Sequence, residues 1–258
     1  MLKLIVLTVV LMIGLCLQNI YAVAQAPIGV WLFDEGNGDT VKDLSPNKNN
    51  GKITNCKWVD GRFGKALDFN GKDTCIDIPD SESLSISDDK ISITAWLTQK
   101  PGAAEWATIV CKGPMAGGIT ENWAVFTNTN LKYICTTLTL LGGERWWTIS
   151  GNETLPVEDK WRHFATTYDG KKLTYYLDGK LVAEFPKSGK LLPNKENLTI
   201  GCRSNDGTRW SGSLDEIGLF NGVLNEQEIN NIMENGYTNF LAVEQAGKLT
   251  TLWGNLKK

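Results

Sequence analysis

From residue 29 onward, short apolar runs alternate with clusters of Gly, Asn, Asp and Lys. GVWLF (29–33), KALDF (65–69), CIDI (75–78), ISITAWL (91–97) and ATIVC (107–111) open the series. WAVFT (123–127), KYICTTLTL (132–140), RWWTIS (145–150), WRHFATTY (161–168) and KLTYYL (172–177) continue it, and KLVAEF (180–185), NLTIG (197–201) and GSLDEIGLF (212–220) close it. Each run has strand length and is bounded by turn residues, as in EGNGD, SPNKNNG and DGRFG. Such punctuation predicts an all-β sandwich or barrel and not βαβ units. Asp178-Gly179, between KLTYYL and KLVAEF, predicts a two-residue hairpin turn, because both residues tolerate positive φ.

The period changes once. In NEQEINNIMENG (225–236), Ile229, Ile232 and Met233 fall at i, i+3 and i+4, the spacing of one buried helix face. Asn225 with Glu228 three residues on forms a capping box, and Gly236 marks the stop. The tail KLTTLW (248–253) alternates again and predicts an edge strand. No linker or internal repeat interrupts residues 27–258, which are read as one domain.

The N-terminus is different. Lys3 precedes residues 4–17 (LIVLTVVLMIGLCL), a run without charge. A bilayer span needs about 20 apolar residues, so this run suits the core of a signal peptide. YAVAQA offers cleavage after Ala24 or Ala26; the second is preferred, making residues 1–26 the leader. The expected product is secreted, extracellular or at the cell surface, with no membrane span after cleavage. Cys16 follows Leu15, where lipoprotein processing wants Gly, Ala or Ser.

Composition narrows the function classes. A net charge of −3 with scattered Lys and Arg leaves no electrostatic footprint for nucleic acid. The 10 Trp and 26 Gly suit an aromatic-cored, turn-rich β protein. Beyond the leader lie Cys56, Cys75, Cys111, Cys135 and Cys202, an odd set without a CxxC pair; with one His in the chain this argues against a zinc site, and at least one thiol stays free. Cys111 with Cys135, or Cys56 with Cys75, could form a bridge; equally, most could be small buried hydrophobes.

His163 is the one histidine, and Asp169 and Asp178 stand near it in WRHFATTYDGKKLTYYLDGK (161–180). Alternation puts Trp161, His163, Ala165 and Thr167 on one face of a central strand. Both aspartates precede Gly, where Asp favours turns. The residues read as scaffold, with His163 buried beside Trp161 or another core residue.

Several segments, in order, resemble the laminin-G-like, concanavalin A-like jelly-roll domains. They are WLFDEGNGDTVKDLSPNKNNG (31–51), GRFGKALDFNG (61–71), CIDIPDSESL (75–84), WRHFATTYDGKKLTYYLDGKLV (161–182) and LTIGCRSNDGTRWSGSLDEIGLFNGVLNEQEI (198–229). The resemblance implies two curved antiparallel sheets packed face to face, commonly a non-catalytic binding module. It also implies a structural Ca2+ bridging the first and last strands, held by Asp34, Asp215 and the carbonyl at Gly71.

Glycan hydrolases share that fold and carry Glu-x-Asp-x-x-Glu or Glu-x-Asp-x-Glu on one strand, which is missing here. Asp215 and Glu216 are adjacent in SLDEIG and should point to opposite faces. No Gly-x-Ser-x-Gly elbow supports a serine nucleophile. Sugar rings pack on flat aromatic faces, so Trp123, Trp146, Trp147 and Trp210, with Arg209 beside the last, are the candidate ligand residues. Trp31, Trp96 and Trp161 read as core. The expectation is a module that recognises a glycan or glycoconjugate, without catalysis. A protein-interaction or structural role in the cell envelope or extracellular matrix is the alternative, and a divergent glycan-active enzyme the third reading.

Overall fold

The computed structural model describes residues 26–101, 104–113, 121–128, 133–150, 160–203 and 208–255, with side chains to residue 242. Apart from Ala26, the leader reading of residues 1–26 falls outside them. Gln25–Phe240 forms one compact unit. Residues from 241 onward fall outside this unit, and there the helical backbone of residues 241–255 is described.

The strands are β1 (Pro27–Trp31), β2 (Thr40–Val41), β3 (Gly51–Thr54), β4 (Lys57–Asp60), β5 (Lys65–Asn70) and β6 (Cys75–Ile78). Next come β7 (Ile91–Leu97), β8 (Ala107–Lys112), β9 (Trp123–Asn128), β10 (Tyr133–Thr139) and β11 (Arg145–Ile149). β12 (Arg162–Tyr168), β13 (Lys172–Leu177), β14 (Lys180–Pro186), β15 (Leu198–Ile200) and β16 (Ser211–Phe220) follow. They form two antiparallel sheets. Sheet A runs β14-β13-β12-β7-β16-β5-β4 with β1 beside β16, and sheet B runs β11-β10-β9-β8-β15-β6-β3-β2. This is the jelly-roll sandwich that the resemblance implied.

Alternation places the core between the sheets. Ile91, Ile93, Ala95 and Leu97 of β7 face Trp123 and Val125 of β9, Ile134 and Leu138 of β10, and Leu198 and Ile200 of β15 in one continuous cluster. The strands expected from sequence appear within one or two residues of their expected bounds. The short β2, β3 and β4 were not expected. Asp178 (φ 47°) and Gly179 (φ 75°) make the hairpin turn between β13 and β14.

The helix α1 (Glu226–Asn255) begins as its sequence demands: Asn225 N–H donates to Glu228 Oε2 at 2.8 Å, and Glu228 N–H donates to Asn225 Oδ1 at 2.9 Å. Gly236 (φ 72°, ψ 168°) interrupts it, as expected, but the backbone then resumes helical form. KLTTLW is therefore helical and not an edge strand. Leu249, Leu252 and Trp253 also fall at i, i+3 and i+4, so both periods fit these six residues.

Cys75 is bonded to Cys202, with Cα atoms 5.2 Å apart, a pairing not among those expected. β6 and β15 are neighbours with Ile76 opposite Ile200, which brings the two cysteines together just beyond the paired residues. Cys111 and Cys135 cannot pair across one strand gap, because β9 runs between β8 and β10. Both are buried on the outer side of sheet B outside any disulfide, and Cys56, half-buried elsewhere, is also unbridged. Replacing Cys75 and Cys202 together by Ser is expected to cost about 2–4 kcal/mol by releasing the unfolded chain. Guanidinium unfolding of the oxidised parent and the double variant measures this; equal midpoints would refute it.

Candidate functional site

The two outer sheet faces differ in what covers them. On sheet A, Ser92 Oγ donates to Gly222 O at 2.7 Å and accepts Leu224 N–H at 2.9 Å. Tyr237 OH bonds Thr94 Oγ1 at 2.5 Å and its ring stacks on Phe220. A side chain at 218 would place its Cβ 1.7 Å from Tyr237 OH, so only Gly fits there. The segment through Tyr237 thus seals one part of this face.

A second cover is the turn 61–65. Asp215 Oδ2 accepts the N–H groups of Arg62 (2.8 Å) and Phe63 (3.0 Å), and Asp34 Oδ1 accepts that of Lys65 (2.7 Å). Gly64 has φ 55°, and a Cβ there would lie 2.0 Å from Asp34 Oδ1. The Arg62 guanidinium lies 4.7 Å over the Trp96 ring, with Phe63 edge-on to the same ring. Beneath them His163 is 1% exposed, its ring 5.2 Å from that of Trp96. Burial pushes its pKa down to about 3, and neither ring nitrogen has a partner among the described residues. Asp178 accepts the His163 backbone N–H and pairs with Arg162, while Asp169 accepts the N–H groups of Lys171 and Lys172. His163 is packed scaffold beside Trp96.

Asp215 and Glu216 do not point to opposite faces. A β-bulge interrupts the β16–β7 register between Asp215 and Gly218, and Glu216 adopts φ 50°. Both carboxylates thereby reach the outer side, where Glu216 Oε2 accepts Tyr237 N–H at 2.6 Å. Burial raises Asp215 to about 8 and Glu216 to about 7.

On the outer side of sheet B, buried small side chains lead to an exposed indole on the edge strand β11. Thr199, Cys111, Ala124, Thr137 and Trp147 lie in cross-strand register from β15 to β11, a floor of small side chains ending in an indole. The fully buried Arg203 has its guanidinium 4.9 Å over the Phe126 ring and Nη2 3.4 Å from Glu121 Oε2. Cys111 and Ala124, small residues near Phe126 and Glu121, leave room for it. Arg145 Nη2 reaches the other oxygen of Glu121, also at 3.4 Å, and is 3.5 Å from Thr137 Oγ1. Two cations and an aromatic face offset the cost of burying the Glu121 carboxylate.

Trp147 is 52% exposed, and Arg145 two residues before it projects from the same side of β11, its side chain 33% exposed. Trp106 holds φ 64°, an unusual backbone conformation for a bulky residue. Its ring lies against Phe126 (5.6 Å) and stands perpendicular to Trp147 at 6.1 Å. The result is a braced indole beside a guanidinium on an edge strand, suited to stacking a flat ligand and donating hydrogen bonds to it.

A family profile described as the concanavalin A-like lectin/glucanases superfamily matches residues 70–230. The chain belongs to this superfamily. Among solved structures, it is similar to the binding domain of Paraclostridial Mosquitocidal Protein 1, with TM-score 0.65 and 19% identity over 83% of this chain and 53% of that one. It is also similar to domain 4 of AbnA, a GH43 extracellular arabinanase from Geobacillus stearothermophilus, in complex with arabinotriose (TM-score 0.63, 16% identity, 81% and 99% covered). A third is the botulinum neurotoxin serotype G binding domain (TM-score 0.61, 14% identity, 80% and 50% covered). The chain therefore spans about half the length of the two toxin domains and nearly all of the arabinanase domain. A search of curated proteins found no match. At these identities the structural likenesses concern the fold.

Within this superfamily member, the ligand residues expected from sequence do not converge. Trp147 is the exposed one. Trp146 is half-buried against the core, because alternation turns it inward with Thr148. Trp123 and Trp210 are completely buried: Trp123 shares the inner face of β9 with Val125, and Trp210 joins the same cluster just before β16. Neither can offer a ring to a ligand. Arg209 donates to Thr74 O at 3.1 Å, in the turn after β5. Glu121, Arg203 and Trp106 were not singled out, and Arg145 could have been, since the alternation in RWW sets it on the Trp147 side.

Of the implied Ca2+ set, Asp34 and Asp215 come to one turn and Gly71 lies apart from them. The oxygens of the two aspartates hold the backbone N–H groups of that turn, residues 61–65. Gly71 sits beside Ser211, four residues along β16 from Asp215, roughly 13 Å away at ~3.3 Å per residue. Among the described residues, no group of three or more His, Cys, Asp or Glu side chains is placed to hold a metal.

Proposed function

We propose that this protein is an exported, non-catalytic binding module that recognises carbohydrate on the outer face of sheet B, with Trp147 as the stacking platform. The observation that carries the reading is the half-exposed Trp147 indole on the edge strand β11, braced by Trp106 and flanked by Arg145. The bound arabinotriose in the arabinanase domain and the likeness to the binding domains of two toxins are in keeping with it. Among the described residues no helix is long and apolar enough to cross a membrane, which accords with an extracellular or cell-surface location.

The non-catalytic part rests on the carboxylates. Retaining glycosidases need two carboxyl groups about 5–5.5 Å apart flanking the scissile bond. Asp215 and Glu216 are neighbours, but they are buried beneath the turn 61–65 and Tyr237. Glu121 is enclosed between two arginines. Turnover of β-glucan or alginate by the purified protein would overthrow this.

Trp147→Ala is expected to weaken binding on an oligosaccharide array by about 10- to 100-fold, since an aromatic contact of this kind carries a few kcal/mol. Its thermal midpoint should change little, because the side chain is half exposed. Unchanged glycan binding by Trp147→Ala would place the sugar site elsewhere, and no glycan binding by the parent protein would favour a protein-interaction role in the cell envelope or matrix.

A further inference from the structure

We propose that Trp106 and Trp147 together form an aromatic corner that takes one sugar residue at the end of a glycan chain, and not a run along a polysaccharide. The proposal rests on the carbohydrate reading above and adds to it a second contact residue and a ligand class.

The angle between the two indoles carries it. Their planes stand at 89° with ring centres 6.1 Å apart. A sugar ring packs its face on one aromatic plane, so a single residue can lay its face on one indole and its rim against the other. Two successive residues of an extended chain would need platforms lying side by side and nearly parallel. A packed polysaccharide surface is flat, and a flat surface meets only one of two perpendicular rings. Both indoles keep surface for a ligand: Trp147 is 52% exposed and Trp106 is half-buried.

The backbone of Trp106 is a separate observation. Its φ of 64° lies in the left-handed region, which bulky side chains avoid. Such a conformation persists only where the surroundings hold it, and it collects at ligand sites. The ring so delivered rests on Phe126, with centroids 5.6 Å apart and planes tilted by 58°, on the outer side of sheet B. That ring is only half-buried, so core packing is not what the strained backbone serves. Trp147 arrives from the edge strand β11, and the corner is thus built from two distant segments, each fixed from its own side.

Calorimetry on the purified protein tests this with the di- and hexasaccharides of four series: cello-, chito-, arabino- and galacto-oligosaccharides. In at least one series both lengths are expected to bind with affinities within about threefold of each other, since one residue fills the corner. Trp106→Ala should weaken the disaccharide about tenfold, the worth of one aromatic contact. By opening the corner it should also let the hexasaccharide lie across Trp147 and become the tighter ligand. Trp106→Phe keeps a ring in place and should retain part of the disaccharide affinity. Melting curves check folding, and the Phe variant keeps the test decisive if the Ala variant is unstable.

A parent protein that prefers the hexasaccharide by more than about tenfold would overturn the corner while the carbohydrate reading stands. Sedimentation with crystalline cellulose or chitin that is lost in Trp147→Ala would do the same. Equal weakening of both lengths by Trp106→Ala would leave Trp106 a brace for Trp147 and no contact residue. If no oligosaccharide of the four series and neither solid binds the parent protein, both readings fall.

Discussion

Raising the pH from 5 to 8 is expected to destabilise this protein by roughly 5 kcal/mol, each proton of imbalance contributing about 1.4 kcal/mol per pH unit. The cause is the bulge in β16. Unfolded, Asp215 and Glu216 ionise near 3.8 and 4.5; folded, burial holds them protonated to about 8 and about 7. Their contribution is complete below the unfolded values and is lost as pH rises through the folded ones. His163 works the other way. Unfolded it titrates near 6.5 and folded near 3, so between these values acid favours the unfolded chain. From pH 5 to 6.5 the two carboxylates outweigh the histidine by one proton, just below 7 by two, and up to 8 Asp215 alone remains.

The proton of Asp215 belongs on Oδ1, which is buried without a partner, since Oδ2 already accepts two turn N–H groups. Asp215→Asn keeps one carbonyl oxygen for those donors and carries no charge. It should be more stable than the parent at pH 8, similar at pH 5, and visibly less pH-dependent. Guanidinium midpoints at pH 5, 6.5 and 8 decide the matter. A parent protein whose stability does not fall over this range would mean that these carboxylates ionise freely inside the fold.

That bulge also marks where the sequence stopped being legible. Strict alternation along SLDEIGLF sends Asp215 and Glu216 to opposite faces, and only the positive φ of Glu216 brings them to the same side. Where alternation holds and a tight turn fixes register, as around Asp178-Gly179, the strands were readable almost to the residue. β2, β3 and β4 were not, because runs of two to four residues with exposed Lys and Thr have no apolar signature of their own. They exist because longer strands beside them offer edges to pair with.

The site was half legible for a similar reason. Trp147 could be found as one of an adjacent Trp pair with opposite orientations. Nothing local says which of the two faces out, and in WAVFT apolar residues occupy both phases, so Trp123 was assigned to the surface and lies in the core. Glu121 and Arg203 stand 82 positions apart in the sequence and meet only through the order β9-β8-β15. No spacing along the chain encodes such a pair.

Asp43→Ala is expected to cost about 5 kcal/mol or more, comparable with the whole stability of many domains. Asp43 is 1% exposed and accepts four hydrogen bonds: Val30 N–H and Ser45 N–H on Oδ1, Asn49 N–H and Ser45 O–H on Oδ2, all between 2.7 and 2.8 Å. It thereby ties β1 to the loop that follows β2. That loop, LSPNKNN, has almost nothing apolar to bury, and its Leu44 faces solvent at 43% exposure. Polar groups do the holding instead. Asn49 donates to Ile28 O and Ser83 Oγ, accepts Ser81 O–H, and its carbonyl accepts Trp31 Nε1–H.

Removing the carboxylate leaves three backbone N–H groups without an acceptor in a closed space, each costing about 1–3 kcal/mol. Asp43→Asn separates charge from shape. It preserves volume and one acceptor, but turns an NH2 group toward donors that need an acceptor, so it should recover only part of the loss. Urea unfolding of the three proteins provides the measurement. A cost below about 1 kcal/mol for Asp43→Ala would show that water reaches these amides once the carboxylate is gone, and that the loop was never held by it. The larger loss would place the anchor of the first strand in one buried carboxylate, in a segment where the usual apolar anchor is missing.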